Sequence, residues 1–196
     1  MSSRSSSPSA DPATGRLSNL LGAWALAISD RVGAAAAAAA GRGGQAPAAL
    51  VALHQFACGG TIEDLRQVLG LSHSAAVRLV DALVTDGHVA REKAADDGRS
   101  VALVLTTSGR TTARGVIAAR QRAVEATLEG LTAAELRTLT RLAEGLTEDI
   151  VDLRLNERRH GAAPGGWLCR LCDFQACGRS EGRCPAAIGA ARHQSR

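Results

Sequence analysis

Hydrophobic residues recur along this chain mostly with a helical period and in one place with the period of a strand. Between residues 17 and 32, leucine, tryptophan, isoleucine and valine return every three or four positions, which predicts an amphipathic helix that ends near the glycines of 41–44. A second helix is predicted at 47–57, because proline is accepted in a first turn. Residues 1–15 show no period and are rich in serine, proline and alanine, so they predict a disordered tail.

The middle of the chain predicts two short helices followed by two short strands. The helices are placed at 61–70 and 72–86, because each begins at a threonine or serine cap and is stopped by a glycine. The strands are placed at 89–92 and 100–106, with a turn between them that contains an Asp-Gly pair. Alternation along the second strand predicts one buried face, formed by Val101, Leu103 and Leu105.

Two long helices are predicted in the second half of the chain, followed by a glycine-rich hinge at 161–166. The first covers about 108–128, and the second begins at Thr132, where Glu135 completes a capping box. Along this last helix the side chains alternate spacings of four and three residues. Such a seam is typical of a coiled-coil-like core or dimer surface, and it consists of Thr132, Leu136, Leu139, Ala143, Leu146, Ile150 and Leu153.

The helix at 72–86 has one apolar face and one mostly polar face. The apolar face is expected to pack on the preceding helix through Ala76, Leu79, Val80 and Leu83. The outward set is expected to be Ser72, His73, Ser74, Val77, Arg78 and Asp81. Hydroxyl and guanidinium groups bind base edges and phosphates, and valine contacts a thymine methyl, so this face suits a helix lying in a major groove.

Composition narrows the classes of function. Hydrophobic residues make up 45% of the 196 and aromatic residues only 2%, so the core must be built from leucine, valine, isoleucine and alanine, which predicts a mainly α (α+β) fold. The net charge of +4 permits binding to a polyanion without requiring it. No secretory signal or membrane span of about 20 apolar residues is evident, so we expect a cytoplasmic protein with no membrane contact and reduced thiols. The histidines do not cluster with carboxylates, and no nucleophile–base pair can be assigned, so an enzyme is not expected.

Four consecutive motifs resemble the multiple-antibiotic-resistance-regulator (MarR) family of winged helix-turn-helix transcriptional regulators. They are Arg-Leu-Val-Asp-x-Leu at 78–83, Gly-x-Val-x-Arg at 87–91, Asp-x-Arg-Ser at 97–100 and Leu-Thr-x-x-Gly at 105–109. Their order and spacing agree with the family, and the resemblance extends in pattern over about 17–156. It implies a triangular homodimer, with the first and last helices intertwined, that binds pseudo-palindromic operators.

The resemblance also implies roles for residues of the wing. Arg99 at the wing tip would enter the minor groove, and Asp97 would hold the wing in shape. Arg66, by contrast, stands where the family usually has a small residue, and Ala82 and Asp86 replace residues that are often basic. The complete set of expected DNA contacts is Ser72, His73, Ser74, Val77, Arg78, Arg91, Lys93 and Arg99.

Four of the five cysteines fall within sixteen residues near the C-terminus, at Cys169, Cys172, Cys177 and Cys184. Four thiolates this close in sequence can converge on one metal, with tetrahedral zinc expected first. An iron–sulfur cluster is the alternative, since proline follows the last cysteine as in ferredoxin-type sites, and disulfides or free thiols complete the alternatives. The segment has few apolar residues, so metal binding would supply its folding free energy. Cys58 stands alone on an apolar stretch and is expected to be a buried small residue.

These patterns predict a tail at 1–15, a MarR-like DNA-binding and dimerisation domain at 16–158, and a Cys-rich extension at 159–196. The expected function is a sequence-specific transcriptional regulator, a repressor, that binds double-stranded DNA as a homodimer. A small-molecule effector, if one binds, is expected between the dimer helices and the DNA-binding lobe. Two alternatives stay open: a winged-helix protein-interaction module with a zinc-knuckle tail, and a thiol oxidoreductase, although no thioredoxin-like strand–helix pattern surrounds Cys169 and Cys172.

Overall fold

The computed structural model describes residues 11–93, 101–161 and 165–194. These residues form seven α-helices, one two-stranded sheet, and 3-10 turns at Leu168–Leu171 and Arg179–Glu181. The elements are α1 (Pro12–Ala40), α2 (Ala46–Gln55), α3 (Ile62–Leu69), α4 (His73–Thr85), β1 (Val89–Lys93), β2 (Val101–Leu105), α5 (Thr107–Glu125), α6 (Ala133–Arg159) and α7 (Pro185–Gln194). The predicted fold class, mainly helical with a small sheet, is confirmed.

Helix α2 lies at the centre of the hydrophobic core. Residues 46–53 are all buried, and the helix packs against α1, α3, α5 and β2. A helix that is apolar on every side requires such a central place. The largest fully buried side chains come from α2 itself and from several elements around it, and they include Leu50, Leu53, Leu65, Leu83, Leu103 and Val116. The elements from α2 to α5 therefore form one lobe with a continuous core.

Side-chain caps fix the starts of α3, α4, α5 and α6. Thr61 and Thr132 each form a capping box with the carboxylate of the third helical residue. The hydroxyls of Ser72 and Thr106 each accept one hydrogen bond from the first turn of α4 and α5. Each cap satisfies amides that would otherwise lack a partner. The helix starts predicted from Thr61, Ser72 and Thr132 are confirmed.

The sheet is an antiparallel hairpin whose base is tied to the turn between α2 and α3. The amide of Gly59 donates to the carbonyl of Leu103 at 3.2 Å, and the amide of Leu103 donates to the carbonyl of Gly60 at 2.8 Å. These bonds extend the ladder by one short backbone segment. The register of the two strands pairs Val89 with Leu105, Ala90 with Val104, Arg91 with Leu103, Glu92 with Ala102 and Lys93 with Val101.

The buried face of β2 differs from the prediction at one end. Leu103 and Leu105 are buried as expected, but Val101 is 47% exposed and its neighbour Ala102 is buried. Val101 pairs with Lys93 at the end of the described hairpin that is farther from α5, where the core no longer covers the strand. Strict alternation therefore fails where the hairpin extends beyond the core.

The junction between β2 and α5 depends on Thr106 and Gly109. The Thr106 hydroxyl accepts a hydrogen bond from the Gly109 amide at 3.0 Å and donates to the Gly87 carbonyl at 2.7 Å, which joins the start of α5 to the turn after α4. A Cβ atom on Gly109 would run into the carbonyl oxygen of His88. The Leu-Thr-x-x-Gly motif is therefore a packing requirement of this junction.

Helix α1 begins earlier than its hydrophobic period predicts. Asp11 accepts a hydrogen bond from the amide of Ala13 at 3.2 Å, and Pro12 occupies the first turn, so 12–15 is helical where a tail was predicted. Residues 1–10 lie outside the described ranges. By length and mean hydropathy α1 meets the minimum for a membrane-spanning helix, a test that core helices also pass. Its alanine-rich end packs on α5.

Helices α1 and α6 carry apolar side chains that the rest of the described chain leaves uncovered. On α1, Leu26 is 70% exposed and Trp24 is 48% exposed. On α6, only Val151 is buried over a helix of 27 residues. The exposed large side chains are Leu17, Leu20, Leu21, Trp24 and Leu26 on α1 and Leu136, Leu142, Leu146, Ile150 and Leu153 on α6.

Candidate nucleic-acid interface

Helices α3 and α4 form a helix-turn-helix, bent by 110° across the short turn between them. Arg66 braces this turn, because its guanidinium donates to the carbonyl of Leu71 at 3.3 Å and forms a 2.6 Å ion pair with Glu63. The hydrogen bond from Arg66 is the main reason that the pKa of Glu63 falls from its ordinary value of 4.5 to about 2. The arginine that departs from the family pattern thus has a local structural use.

The two faces of α4 are those predicted. Ala76, Val80 and Leu83 are buried, and Leu79 packs partly buried against the core. On the opposite face Ser72, His73, Ser74, Arg78 and Asp81 are exposed, and Val77 is half-buried. The start of α4 also presents backbone N–H groups and the positive end of the helix dipole, which favour a phosphate. The predicted contact residues therefore share one accessible surface, the α4 face.

Arg91 occupies a different setting from the one predicted. Its guanidinium forms a 2.6 Å ion pair with Asp81 on α4, so the wing strand and the helix are joined at this point. The sequence treated Asp81 as an outward residue and Arg91 as a DNA contact, and did not pair them. Asp81 of the motif at 78–83 and Arg91 of the motif at 87–91 are therefore joined by a charge-assisted hydrogen bond.

Arg42 is a residue that the sequence analysis missed. It lies between α1 and α2 and pairs with Asp86 through two hydrogen bonds of 2.6 and 2.9 Å. The hydrogen bond from Arg42 is the main cause of the lowered pKa of Asp86. The two residues lie 44 positions apart, so no local spacing pointed to them. Asp86, where the family often has a base, therefore anchors the end of α4 to the start of the lobe.

The remaining cations of the predicted contact set are Arg78 and Lys93. Both are exposed, and neither forms an ion pair with another residue in the ranges that the structure describes. Asp97 and Arg99, predicted to shape the wing and to enter the minor groove, lie outside the described residues. The α4 face thus offers hydroxyls, the His73 imidazole and the Arg78 guanidinium. Lys93 lies on β1, the strand that contacts α4.

Comparison with known proteins places this lobe in a family. The model of the MarR family matches residues 44–100, the segment that contains the helix-turn-helix and the first wing strand. Residues 44–100 thus carry the MarR-family winged helix-turn-helix pattern. The match ends just before β2, so the rest of the domain resembles MarR-family proteins in its fold.

Solved MarR-family structures share this domain over most of their own length. A MarR-family protein from Bacillus stearothermophilus is 25% identical, with a TM-score of 0.62, and the match covers 70% of this chain and 95% of that one. The YusO protein from Bacillus subtilis is 21% identical, with a TM-score of 0.60 and coverage of 70% and 96%. A MarR-family protein from Mycobacterium tuberculosis in complex with p-aminosalicylic acid is 27% identical, with a TM-score of 0.52 and coverage of 66% and 97%. The comparison with curated protein sequences finds no match.

Beyond the MarR-family domain, the segment that carries the cysteines docks on the helix-turn-helix. The amide of Trp167 donates to the carbonyl of Val68, in the last turn of α3, at 2.7 Å. The ring of Phe56 stacks on Trp167 with centroids 5.7 Å apart and on Phe174 with centroids 5.4 Å apart. The Arg179 guanidinium lies 4.8 Å from the centroid of Phe174. Aromatic stacking and one main-chain bond therefore attach the segment to α2 and α3.

Two glycines allow this docking at the turn of the helix-turn-helix. A Cβ on Gly70 would lie 2.5 Å from the nitrogen of Gly166, and a Cβ on Gly166 would lie 2.8 Å from the carbonyl oxygen of Leu69. The two backbones thus touch where α3 ends. We call the contact formed by Phe56, Val68 and Gly70 with Gly166 and Trp167 the α3 dock.

At its other end the segment is attached to α6 through α7. Arg192 forms a 2.5 Å ion pair with Glu148, and Arg159 donates to the carbonyl of His193 at 3.0 Å. Arg154 of α6 donates to the carbonyl of Gly166 at 2.8 Å. The Cys-rich segment therefore bridges α6 and the helix-turn-helix.

The four predicted metal-binding cysteines lie close to one another in this bridge. The Cys172 amide donates to the Cys169 carbonyl at 3.0 Å, and Cys172 and Cys177 line one cleft beside α5. Cys169 and Cys177 each interact electrostatically with both Cys172 and Cys184. Each thiol therefore has two thiol neighbours. Among the residues that the structure describes, no three His, Cys, Asp or Glu side chains have the spacing of a formed metal site.

The thiols of Cys169 and Cys172 differ in acidity. The hydrogen bond with Cys169, helped by the charges of Arg120 and Arg170, lowers the pKa of Cys172 to about 6. The same hydrogen bond and burial raise the pKa of Cys169. Cys172 is therefore the member of this pair that most readily forms a thiolate.

The prediction for Cys58 is wrong. The side chain is exposed, because the residue lies in the turn that follows α2 and not within the helix itself. Its neighbours Phe56 and Gly59 are held by the α3 dock and by the wing, respectively. The apolar stretch that precedes Cys58 fills the core without it.

Proposed function

We propose that this protein is a transcriptional repressor that binds pseudo-palindromic double-stranded DNA as a homodimer in the cytoplasm and is not an enzyme. The observation that carries the proposal is the α4 face, where exposed hydroxyls, His73 and Arg78 stand opposite a fully buried face. A helix exposed in this way can enter a major groove without any change in the core. The rest of the MarR-family domain forms the core on which α4 packs.

A second copy of the chain is the partner that the uncovered helices require. The exposed apolar side chains of α1 and α6 form long rows, and single-chain proteins seldom leave apolar surface of that extent in water. Helix α6 alone is 27 residues long, or about 40 Å. Pairing these helices between two copies would present two α4 helices to successive half-sites of one operator.

Selection from a pool of random duplexes, followed by footprinting, tests the DNA-binding proposal. We expect one protected site with two-fold symmetry and an affinity that falls steeply with salt. Arg78→Ala should weaken binding by about 1–3 kcal/mol, whereas Arg137→Ala, an exposed arginine of α6, should leave it unchanged. Equal, salt-erasable binding to every duplex would contradict the proposal and favour a protein-interaction module. Run-off transcription from the selected site distinguishes a repressor from an activator.

Sedimentation tests the homodimer. Leu146→Glu places a charge in the exposed row of α6 and should shift the protein towards monomer, because burying an unpaired carboxylate is costly. Thr138→Glu, on an exposed position outside the predicted seam, is the matched control and should leave the dimer intact. A monomeric parent protein would contradict the proposal.

We also propose where a small-molecule effector binds. A cleft between α6 and the Cys-rich segment has apolar walls and three arginines, Arg154, Arg158 and Arg179. That chemistry suits an aromatic acid, the class to which p-aminosalicylic acid of the related complex belongs. Titration with p-aminosalicylic acid should raise the melting temperature, and Arg158→Gln should reduce the rise. Benzamide, which has no carboxylate, is the control ligand, and an equal effect from it would contradict the assignment.

A further inference from the structure

We propose that Cys169, Cys172, Cys177 and Cys184 together bind one zinc ion, and that zinc binding holds the α3 dock closed. The ligand is of a defined chemical class, a thiophilic divalent cation in tetrahedral sulfur coordination. The effect on DNA binding rests on the function proposed above, whereas the zinc site itself does not.

The arrangement of the thiols favours a single ion over separate uses. Cys172 and Cys177 line one cleft beside α5, and the Cys172 amide donates to the Cys169 carbonyl at 3.0 Å. Cys169 and Cys177 each also interact electrostatically with Cys184. Cys184 is only 4% exposed and directly precedes α7, so the start of this helix fixes the position of one ligand. Zinc would form four Zn–S bonds and draw the four thiolates together.

The charges around the thiols suit a tetrathiolate. Binding Zn²⁺ to four thiolates releases the thiol protons and leaves a net charge of −2 on the site. Arg120 and Arg170 interact with Cys172, and Arg179 interacts with Cys169. These guanidinium groups come from α5 and from the segment itself, so the negative site would also attract the lobe on which it lies.

The segment lacks the burial that would fold it without an ion. Of residues 165–193, only Gly178, Cys184, Gly189 and His193 are buried, and none of these is a large apolar residue. Trp167 and Leu168 remain 40% and 37% exposed. A chain of turns with so little buried apolar surface needs another source of stability, and a structural zinc site supplies it.

The α3 dock connects the zinc site to DNA recognition. Cys169 lies two residues after Trp167, whose amide binds the carbonyl of Val68 at the end of α3. The contact of Gly166 with Gly70 lies at the turn that sets the angle between α3 and α4. Loss of zinc would therefore release the end of α3 on which the segment docks.

Metal analysis of the full-length protein, purified with reductant and without added metal, tests the site. We expect one zinc per chain and a colourless protein, with zinc lost in Cys169→Ser and in Cys184→Ser. Cys58→Ser is the matched control, since Cys58 lies outside the cluster, and it should keep its zinc. Visible absorption with bound iron, thiols oxidised to disulfides, or zinc retained by both cluster variants would each overturn the proposal.

Tryptophan fluorescence tests whether the ion closes the α3 dock. The chain has two tryptophans, so Trp24→Phe leaves Trp167 as the sole reporter. Removal of zinc by a chelator should shift the emission of this variant to the red, and added zinc should restore it. Trp167→Phe, which retains only Trp24, should show no such shift. An emission of Trp167 that is the same with and without zinc would overturn the link to the dock.

Binding of the selected duplex by zinc-loaded and chelated full-length protein completes the test. We expect chelation to weaken binding at least tenfold. Equal affinity in the two states would overturn the coupling to DNA. If neither state binds any duplex specifically while zinc and the Trp167 response are present, the proposed function fails and the zinc site stands.

Discussion

The MarR-family lobe and the Cys-rich segment are held together by different physical means. In the lobe, α2 is buried on all sides and leucines from α3, α4 and β2 pack around it. In residues 165–193, the segment buries no large apolar side chain and relies on stacking, main-chain bonds and clustered thiols. The lobe therefore derives its stability from hydrophobic burial, whereas the segment depends on its attachment and, as proposed, on an ion.

Gly109→Ala should produce the largest effect, and it should fall on the lobe. The added Cβ would collide with the carbonyl of His88, a backbone atom that cannot move without separating α5 from the turn after α4. We expect a loss of about 3 kcal/mol in the free energy of unfolding, at the upper end of overpacking costs. Urea unfolding followed by circular dichroism measures it. Gly115→Ala, whose Cβ meets nothing within 4 Å, is the control, and an equal response of both variants would refute the explanation.

Gly166→Ala should disturb the segment and leave the lobe folded. Its Cβ would press on the backbone of Val68 and Leu69 at 2.8–3.0 Å, so the α3 dock should open at a cost of about 1–3 kcal/mol. Hydrogen exchange should accelerate at the amide of Trp167 while amides of α2 keep their protection. Gly145→Ala on α6, where the Cβ meets open space, should instead stabilise its helix slightly. Unchanged exchange at Trp167 would contradict the role of the dock.

Asp81→Asn should have a smaller effect on stability and a clearer effect on DNA binding. Its ion pair with Arg91 is partly exposed, so the loss should stay within about 1 kcal/mol. The strand would no longer be fixed to α4, and the freed arginine would gain access to phosphate. We therefore expect a steeper salt dependence of DNA binding than in the parent protein. A shallower dependence in gel-shift titrations would show that the ion pair serves recognition in its closed form.

The smallest effect is expected at low pH. Because the folded-state pKa of Glu63 is lowered to about 2, its contribution is fully present above its ordinary value of 4.5 and declines as the pH falls towards 2. Glu63→Gln should therefore reduce the stability difference between pH 5 and pH 3. Urea midpoints at the two pH values measure that difference. An identical difference in both proteins would contradict the assignment of Arg66 as its cause.

The sequence predicts best what depends on neighbours along the chain. The caps at Thr61, Ser72 and Thr132 and the two faces of α4 follow from local spacing, and the structure confirms them. The ion pair between Arg42 and Asp86 could not be predicted, because its members lie far apart in sequence. For the same reason the sequence did not predict the α3 dock, although Gly166, which permits the contact, lies in the predicted glycine-rich hinge at 161–166.

Within the candidate site, the sequence identified residue types more reliably than their commitments. Both Arg78 and Arg91 were predicted to be outward cations. Only the three-dimensional arrangement shows that Arg91 pairs with Asp81, whereas Arg78 has no ion pair among the described residues. The four cysteines were grouped because they are close in sequence, whereas the contact of Cys172 and Cys177 with α5 depends on the tertiary fold. Val101 and Cys58 were misplaced because a period says nothing about where the core ends.

The hydrogen bond between Trp167 and Val68 bears on any shortened form of this protein. Helix α3 ends in carbonyls that lack partners within the helix, and the Cys-rich segment supplies one of those partners. Proteolysis after α6 would return that carbonyl, and the stacked face of Phe56, to water beside the helix-turn-helix. A protein truncated after α6 should therefore aggregate at a temperature below that at which its helices unfold, so we expect the Cys-rich segment to favour solubility as well.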